Sequence, residues 1–393
     1  MSTPEPILPE SLAQVSRALP TIEPLGPRRL ALAKSAYTTR FVSRRIAGDP
    51  NGYGLLTGEN VVPHAGDVVL ARVHRIGQHA AIMLPDGRRA SLFEGDEILV
   101  GYGDRYAPDQ FEAEVPDNLG LTHLVAAGGL AGTAISAHSK MAAPTQLQPL
   151  GLLADAGGVV TLRRCAPLAT VAPQDAQGLG RVGKPLVIAV LGTSMNSGKT
   201  TTVASIVRGL TKAGLEVAAG KVTGTGAPGD PGLFRDSGAS RVLDFTDFGY
   251  GSTYRLEEQQ VQALLVSLID ELAAAGPDVV VVEIADGLFQ GETAALVKDP
   301  VFRAHVDKVV FAAGEALGAT AGQMLLAGLG LAPVAISGML TASPLAKREA
   351  ASSLDVPVLD KGELASATVV DLFLPGHAHA GWSRSESRVR VAG

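Results

Sequence analysis

Cysteine is almost absent: Cys165 stands alone in 393 residues, which excludes an intrachain disulfide framework and any thiolate-rich metal site. Aromatic residues make up only 4% of the chain, against the composition of an aromatic-rich recognition module. The eight histidines show no metal-ligand framework, and His377-x-His379 by itself defines no zinc site. The most apolar stretches, Val279 to Val282 and Val309 to Ala313, are far shorter than the roughly 20 residues of a bilayer-spanning helix. The start, MSTPEPILPESLAQ, lacks the basic and apolar regions of a secretory signal, so a cytoplasmic protein without membrane attachment is expected. A net charge of -6 supplies no general attraction to DNA or RNA, and nucleic acid is not expected as a partner.

What the chain has instead is apolar residues (46%) and glycine (46 residues), in a length sufficient for two or three domains. Residues 1–167 read as a strand-rich N-terminal region with one helix near Glu10 to Ala18. VVLARVHRI, the pair AAIMLP and RRASLF around Asp86-Gly87, GDEILVGYG and YAPDQFEAEVP supply the strand signals; Asp-Gly between two apolar runs is a hairpin turn because both residues tolerate positive φ. These strands fit either a small barrel or an open sheet. Residues 168–184, rich in Pro and Gly without apolar period, read as a linker, and 376–393 as a tail that the lone Trp382 could pin.

From 185 to 375 the pattern becomes strand, loop, helix. LVIAVLG, EVAAGKVT, DVVVVEIADG, VDKVVFAAG and LAPVAISGML are short apolar runs, with DVPVLD a possible last strand. Between them lie helical stretches, one carrying Val261, Leu264, Leu265, Leu268 and Leu272 at core-facing spacing. The section from Gly224 to Tyr254 reads as irregular. The fold class expected is therefore α/β: a mostly parallel sheet forming a P-loop nucleotide-binding domain, preceded by a smaller strand-rich domain.

The chemistry concentrates at Gly192, Thr193, Ser194, Met195, Asn196, Ser197, Gly198, Lys199, Thr200 and Thr201. Between a buried strand and a helix, such a loop points backbone N–H groups at phosphate oxygens. Lys199 reaches the β- and γ-phosphates, and Thr200 offers its hydroxyl to Mg²⁺. Gly192 lies one place upstream of the usual spacing. GTSMNSGKT resembles the phosphate loop of dethiobiotin synthetase and the cobyrinic acid amide synthetases, within the wider group of MinD/ParA ATPases and signal-recognition GTPases. AAGKVTGTG and VVVVEIADG resemble two further strands of the synthetase. The resemblance implies a phosphate-holding role for Lys221, Mg²⁺ coordination by Glu283, and a metal-site carboxylate at Asp236, with Asp230 the substitute. VVEIADGLFQGET is also similar to an uncharacterised bacterial two-domain P-loop family.

From the residues, Glu283 is either a Mg²⁺ ligand or half of a salt bridge, and Asp286 either orients a substrate or caps its turn. Thr223 and Thr225 could add hydroxyl donors, while Lys298, Arg303 and His305 read as a solvated loop. The segment Asp104 to Phe111 is either a lip over the nucleotide domain or an anchor within its own. The resemblance implies a Mg²⁺·ATP-dependent ligase activating a carboxylate or carbamate for capture by an amine, as a homodimer, with catalytic Lys199, Lys221, Glu283 and Asp286. The alternatives are a small-molecule kinase and a regulatory or assembly NTPase controlled by a protein partner. No Asn-Lys-x-Asp motif is present, which by family pattern favours ATP over GTP.

Overall fold

A computed structural model describes residues 21–172 and 184–376. The helix read near Glu10 to Ala18, most of the linker, Trp382 and the His377/His379 pair lie outside the described residues. No helix among the described residues is long and apolar enough to cross a membrane.

The first domain is a sheet of ten strands, five of which close on themselves. Thr145–Asp155 pairs with Val68–Arg75, that strand with Glu97–Tyr102, then Leu130–Ala137, then Thr122–Ala126, which returns to Thr145–Asp155. Alternation along the strands sorts side chains between two cores. Val69, Ala71 and Val73 share the interior with Ile98, Val100, Tyr102, Leu124 and Leu147. Their neighbours Val68, Leu70 and Leu99 turn outward and are buried against Val42 and Ile46 of the helix Arg40–Gly48. This second burial explains why VVL reads as an unbroken apolar run. Ala81–Met83 and Arg89–Ser91 form a separate hairpin, with Gly87 in the left-handed region at φ 85°.

The second domain holds a six-stranded sheet in the order Arg241–Asp244, Val217–Lys221, Val279–Glu283, Leu186–Gly192, Lys308–Ala312, Ala335–Ser337, and every pair is parallel. Helices cover both faces. Glu258–Ala273 lays Leu264, Leu265, Leu268 and Leu272 into one core, while Lys199–Lys212 buries Val203, Ile206, Val207 and Leu210 in the other. The architecture is thus a strand-rich N-terminal domain followed by an all-parallel P-loop NTPase fold.

Two local readings are corrected. DVPVLD contributes only a bridge between Val358 and Ile336. The stretch 224–254 is not irregular: it contains the helix Gly229–Asp236, the edge strand Arg241–Asp244 and the turn Phe245–Phe248. Phe234, Phe245 and Phe248 are fully buried there; these isolated anchors hold elements too short to show a period.

The domains meet through a buried polar joint. Arg40 donates to Asp247 at 2.8 Å, and its guanidinium lies 3.9 Å from Asp244 and 4.3 Å from the centre of the Tyr37 ring. The Tyr37 hydroxyl donates to Asp244 at 3.2 Å. Asp244 ends an edge strand in register with Lys221 and, through it, Glu283, so the joint grips the sheet edge that carries the candidate site.

Candidate functional site

In a parallel sheet all strand C-termini emerge on one side, where ligands bind. Leu186–Gly192 leads there into the phosphate loop. Gly192 has a steric reason: a Cβ on it would stand 2.4 Å from Ser197 Oγ. The displaced glycine thus leaves room for the loop to fold over its own strand. Gly198 takes φ 98° and opens the helix Lys199–Lys212, presenting unpaired N–H groups at a positive helix end. Lys199 is 5% exposed; its Nζ donates to Ser194 O at 2.8 Å, and burial lowers its pKa.

Lys199, Thr200, Lys221, Glu283 and Asp286 line one cleft of about 470 Å³, together with Asp230. Lys221 Nζ pairs with Asp230 and lies 3.2 Å from Glu283 Oε1. Burial alone would depress the Lys221 pKa, but the Glu283 and Asp230 carboxylates outweigh it and raise it. Burial raises Glu283, offset in part by Lys221. Burial likewise raises Asp286, against the pull of Lys199 and Lys221. The turn carrying Asp286 is fixed from beneath: Thr223 Oγ1 accepts from Ala285 N at 2.8 Å, and Thr293 Oγ1 donates to Ala285 O at 2.8 Å.

The sequence-predicted residues do not all converge. Thr193 and Ser194 line a different cavity, toward Glu315 and Gly318. Asp236 is exposed at the far end of its helix, whereas Asp230 sits in the first turn and reaches the cleft. Six residues of helix, about 9 Å of rise, separate them. Lys298, Arg303 and His305 belong to two short helices away from the loop.

The sequence reading left unassigned what the first domain brings. Arg105 and Ala113 exchange backbone hydrogen bonds of 2.8 and 3.0 Å, closing a loop whose tip reaches the phosphate loop. There Asn196 Nδ2 donates to Asp109 Oδ2 at 2.8 Å, and Asp109 and Gln110 line the same cleft as Lys199. Phe111 is buried in its own domain, while the Tyr106 ring lies 5.5 Å from that of Tyr254 across the joint. The loop is both anchor and lip.

The residues fit a Mg²⁺-bound nucleotide. Glu283 Oε2 and Ser197 Oγ are buried without a hydrogen-bond partner among the described residues, and the described residues contain no cluster of three or more His, Cys, Asp or Glu able to hold a metal unaided. Mg²⁺ is ordinarily held by one or two carboxylates with substrate phosphates and water rather than by an all-protein cage. On the other side of the loop a cavity of about 630 Å³ is lined by Thr201, Thr202, Gly338, Thr341, Asp360 and Lys361 among others.

No family model and no curated protein matches the chain. Among solved structures it is similar to the signal recognition particle receptor FtsY from Elizabethkingia anophelis, at 17% identity over 51% of this chain and 69% of that one, TM-score 0.33. The same receptor in complex with GDP gives 15% identity, 54% and 69% coverage and TM-score 0.34. The signal recognition particle 54 kDa protein from Aeropyrum pernix K1 in complex with GDP gives 16% identity, 50% and 41% coverage and TM-score 0.27. At these values the likeness is one of fold.

These neighbours correct the expectation drawn from the synthetase resemblance. The P-loop NTPase fold stands, and these likenesses do not specifically support the dethiobiotin synthetase branch. The solved structures are a receptor and a particle protein, two of them in complex with GDP, rather than ligases or kinases. The ATP-dependent ligase or kinase, ATP as its cofactor, the small amine or carboxylate substrate and the homodimer implied with them are withdrawn.

Proposed function

We propose that the chain is a regulatory nucleoside triphosphatase whose phosphate site is read by its own N-terminal domain. The observation that carries this reading is the Asn196–Asp109 contact, in which a loop of the first domain touches the phosphate loop of the second. Lys199 would leave Ser194 O for the β- and γ-phosphates, and the loop N–H groups would hold their oxygens. Thr200 and Glu283, with Asp230 in place of Asp236, would hold Mg²⁺, which neutralises charge on the phosphates. Lys221 would balance the charge developing on the transferred group. Asp286, on its braced turn, would orient the water whose oxygen bonds to the γ-phosphorus as the bond to the β–γ bridging oxygen breaks, leaving a nucleoside diphosphate and inorganic phosphate.

The wider cavity beyond Gly198 would take the base, and its chemistry supports guanine. Asp360 accepts from Gly362 N, Glu363 N and Lys347 Nζ, and Lys347 holds its pKa down to about 2. A carboxylate with about four acceptor sites retains capacity for another donor. Guanine offers adjacent N1–H and N2–H₂ donors, whereas adenine sets a ring acceptor beside its amino group. Such a switch turns over slowly alone and faster with a protein partner.

Titration calorimetry of the full chain with GDP, a nonhydrolysable GTP analogue and their adenine counterparts tests the reading. Guanine nucleotides are expected to bind at least about tenfold tighter than adenine nucleotides, and Lys199→Ala to weaken both by about 100-fold with unchanged circular dichroism. Equal binding by the Lys199→Ala protein would remove the phosphate loop from the account.

A further inference from the structure

Arg105 belongs to the first domain, and the carboxylates whose charge acts on it are Asp109 of its own loop and Asp286 of the second domain. It is 5% exposed, and its one side-chain hydrogen bond among the described residues runs from Nη2 to Gln110 Oε1 at 2.9 Å. Nε and Nη1 have no partner, and no carboxylate of the described residues lies within salt-bridge distance. Asp109 Oδ1, Ser197 Oγ and Glu283 Oε2 are buried and unpartnered as well. Arg105 and Asp109 come from the loop of the first domain, Ser197 and Glu283 from the phosphate site it touches.

A guanidinium buried without an anion is costly, because its desolvation is not offset by a partner charge. Burial lowers the Arg105 pKa to about 10, against the opposing pull of Asp109 and Asp286, so the group remains cationic at neutral pH. It is also rigidly placed. The backbone pairing with Ala113 fixes its Cα, Asp104 Oδ1 accepts from Val115 N at 2.8 Å, and His138 N donates to Gln110 O at 2.8 Å. A planar fork with two unpartnered N–H groups, held on the loop that touches the phosphate loop through Asp109, suits a phosphoryl anion.

We propose that Arg105 is an arginine supplied within the same chain to recognise the terminal phosphate, so that the N-terminal domain distinguishes a nucleoside triphosphate from a diphosphate. The inference rests on the nucleotide reading above. Its consequence is directional. The triphosphate supplies the missing anion and tightens the loop Tyr106 to Gln110 onto the phosphate loop, and its loss leaves Arg105 uncompensated and the joint weaker.

The test compares GDP with a nonhydrolysable GTP analogue by calorimetry on the full chain, in wild type, Arg105→Gln and Arg105→Lys, each checked for folding by thermal unfolding. The wild type is expected to prefer the triphosphate. Arg105→Gln is expected to lose about tenfold of that preference with GDP affinity within about twofold of wild type, and Arg105→Lys to recover only part because it lacks the fork. A folded Arg105→Gln with an unchanged preference, or one that loses both affinities equally, overturns the proposal. Independently of any variant, the Arg105 Nε–H resonance of the wild type is expected to move with the triphosphate analogue and not with GDP; a resonance unmoved by either overturns it too. A wild type that binds neither nucleotide brings down the underlying reading as well, whereas normal binding with failed Arg105 readouts brings down this inference alone.

Discussion

The two domains solve the problem of placing chemistry in opposite ways. In the second, six parallel strands deliver their C-termini to one edge, so Gly192, Lys221, Asp244 and Glu283 arrive together because they end strands. In the first, the closed ring is largely antiparallel and fills its interior with Val69, Ile98, Val100 and Leu147. Its edges present loops of both strand directions, and among the described residues it lines the cleft with Asp109 and Gln110 of the loop closed by Arg105 and Ala113. The second domain carries a phosphate site by topology; the first touches it by a contact that has to be maintained by packing. The joint at Arg40 shares that task with the Arg255–Glu114 ion pair and the Tyr106–Tyr254 contact.

Removing that joint is the most severe way to break the comparison. Arg40→Ala leaves Asp244, 2% exposed, as a buried carboxylate stripped of its cation, with an expected loss of about 3–5 kcal/mol in chemical denaturation. Arg40→Lys is expected to restore little, because the stacking on Tyr37 and Phe41 needs a planar cation. If Arg40→Ala melts with wild-type stability, the domains do not depend on this contact.

A smaller effect distinguishes the first domain by pH. Burial, then the charge of Arg105, lower the His79 pKa to about 4, while the unfolded chain binds the proton near 6.5. Between those values the unfolded state holds more protons, so stability falls as pH drops from about 6.5 to 4, by about 3 kcal/mol in all. His79→Gln is expected to flatten that part of the denaturation profile. An unaltered slope would assign the pH sensitivity to other groups.

The phosphate loop was legible because its residue types sit at local spacing between a strand and a helix, and Lys221 and Glu283 because each ends a continuous apolar run. Asp230 was ranked below Asp236 because Gly229–Asp236, a helix of eight residues, shows too little period to reveal which end faces the site. The contact of Asp109 with Asn196 spans 87 residues, and closure of the ring depends on Thr122–Ala126 bridging two distant strands. No local pattern encodes either. The synthetase resemblance carried the P-loop fold but not the reaction, since a phosphate cradle specifies an anion and says nothing of an acceptor.

If the first domain responds to the nucleotide held by the second, as proposed above, hydrogen exchange of the full chain should differ between GDP and the nonhydrolysable GTP analogue. The triphosphate is expected to slow exchange in both the phosphate loop, 193–201, and the first-domain loop, 104–111, while GDP protects chiefly the former; protection confined to the phosphate loop with both nucleotides would show that the first domain does not sense the nucleotide.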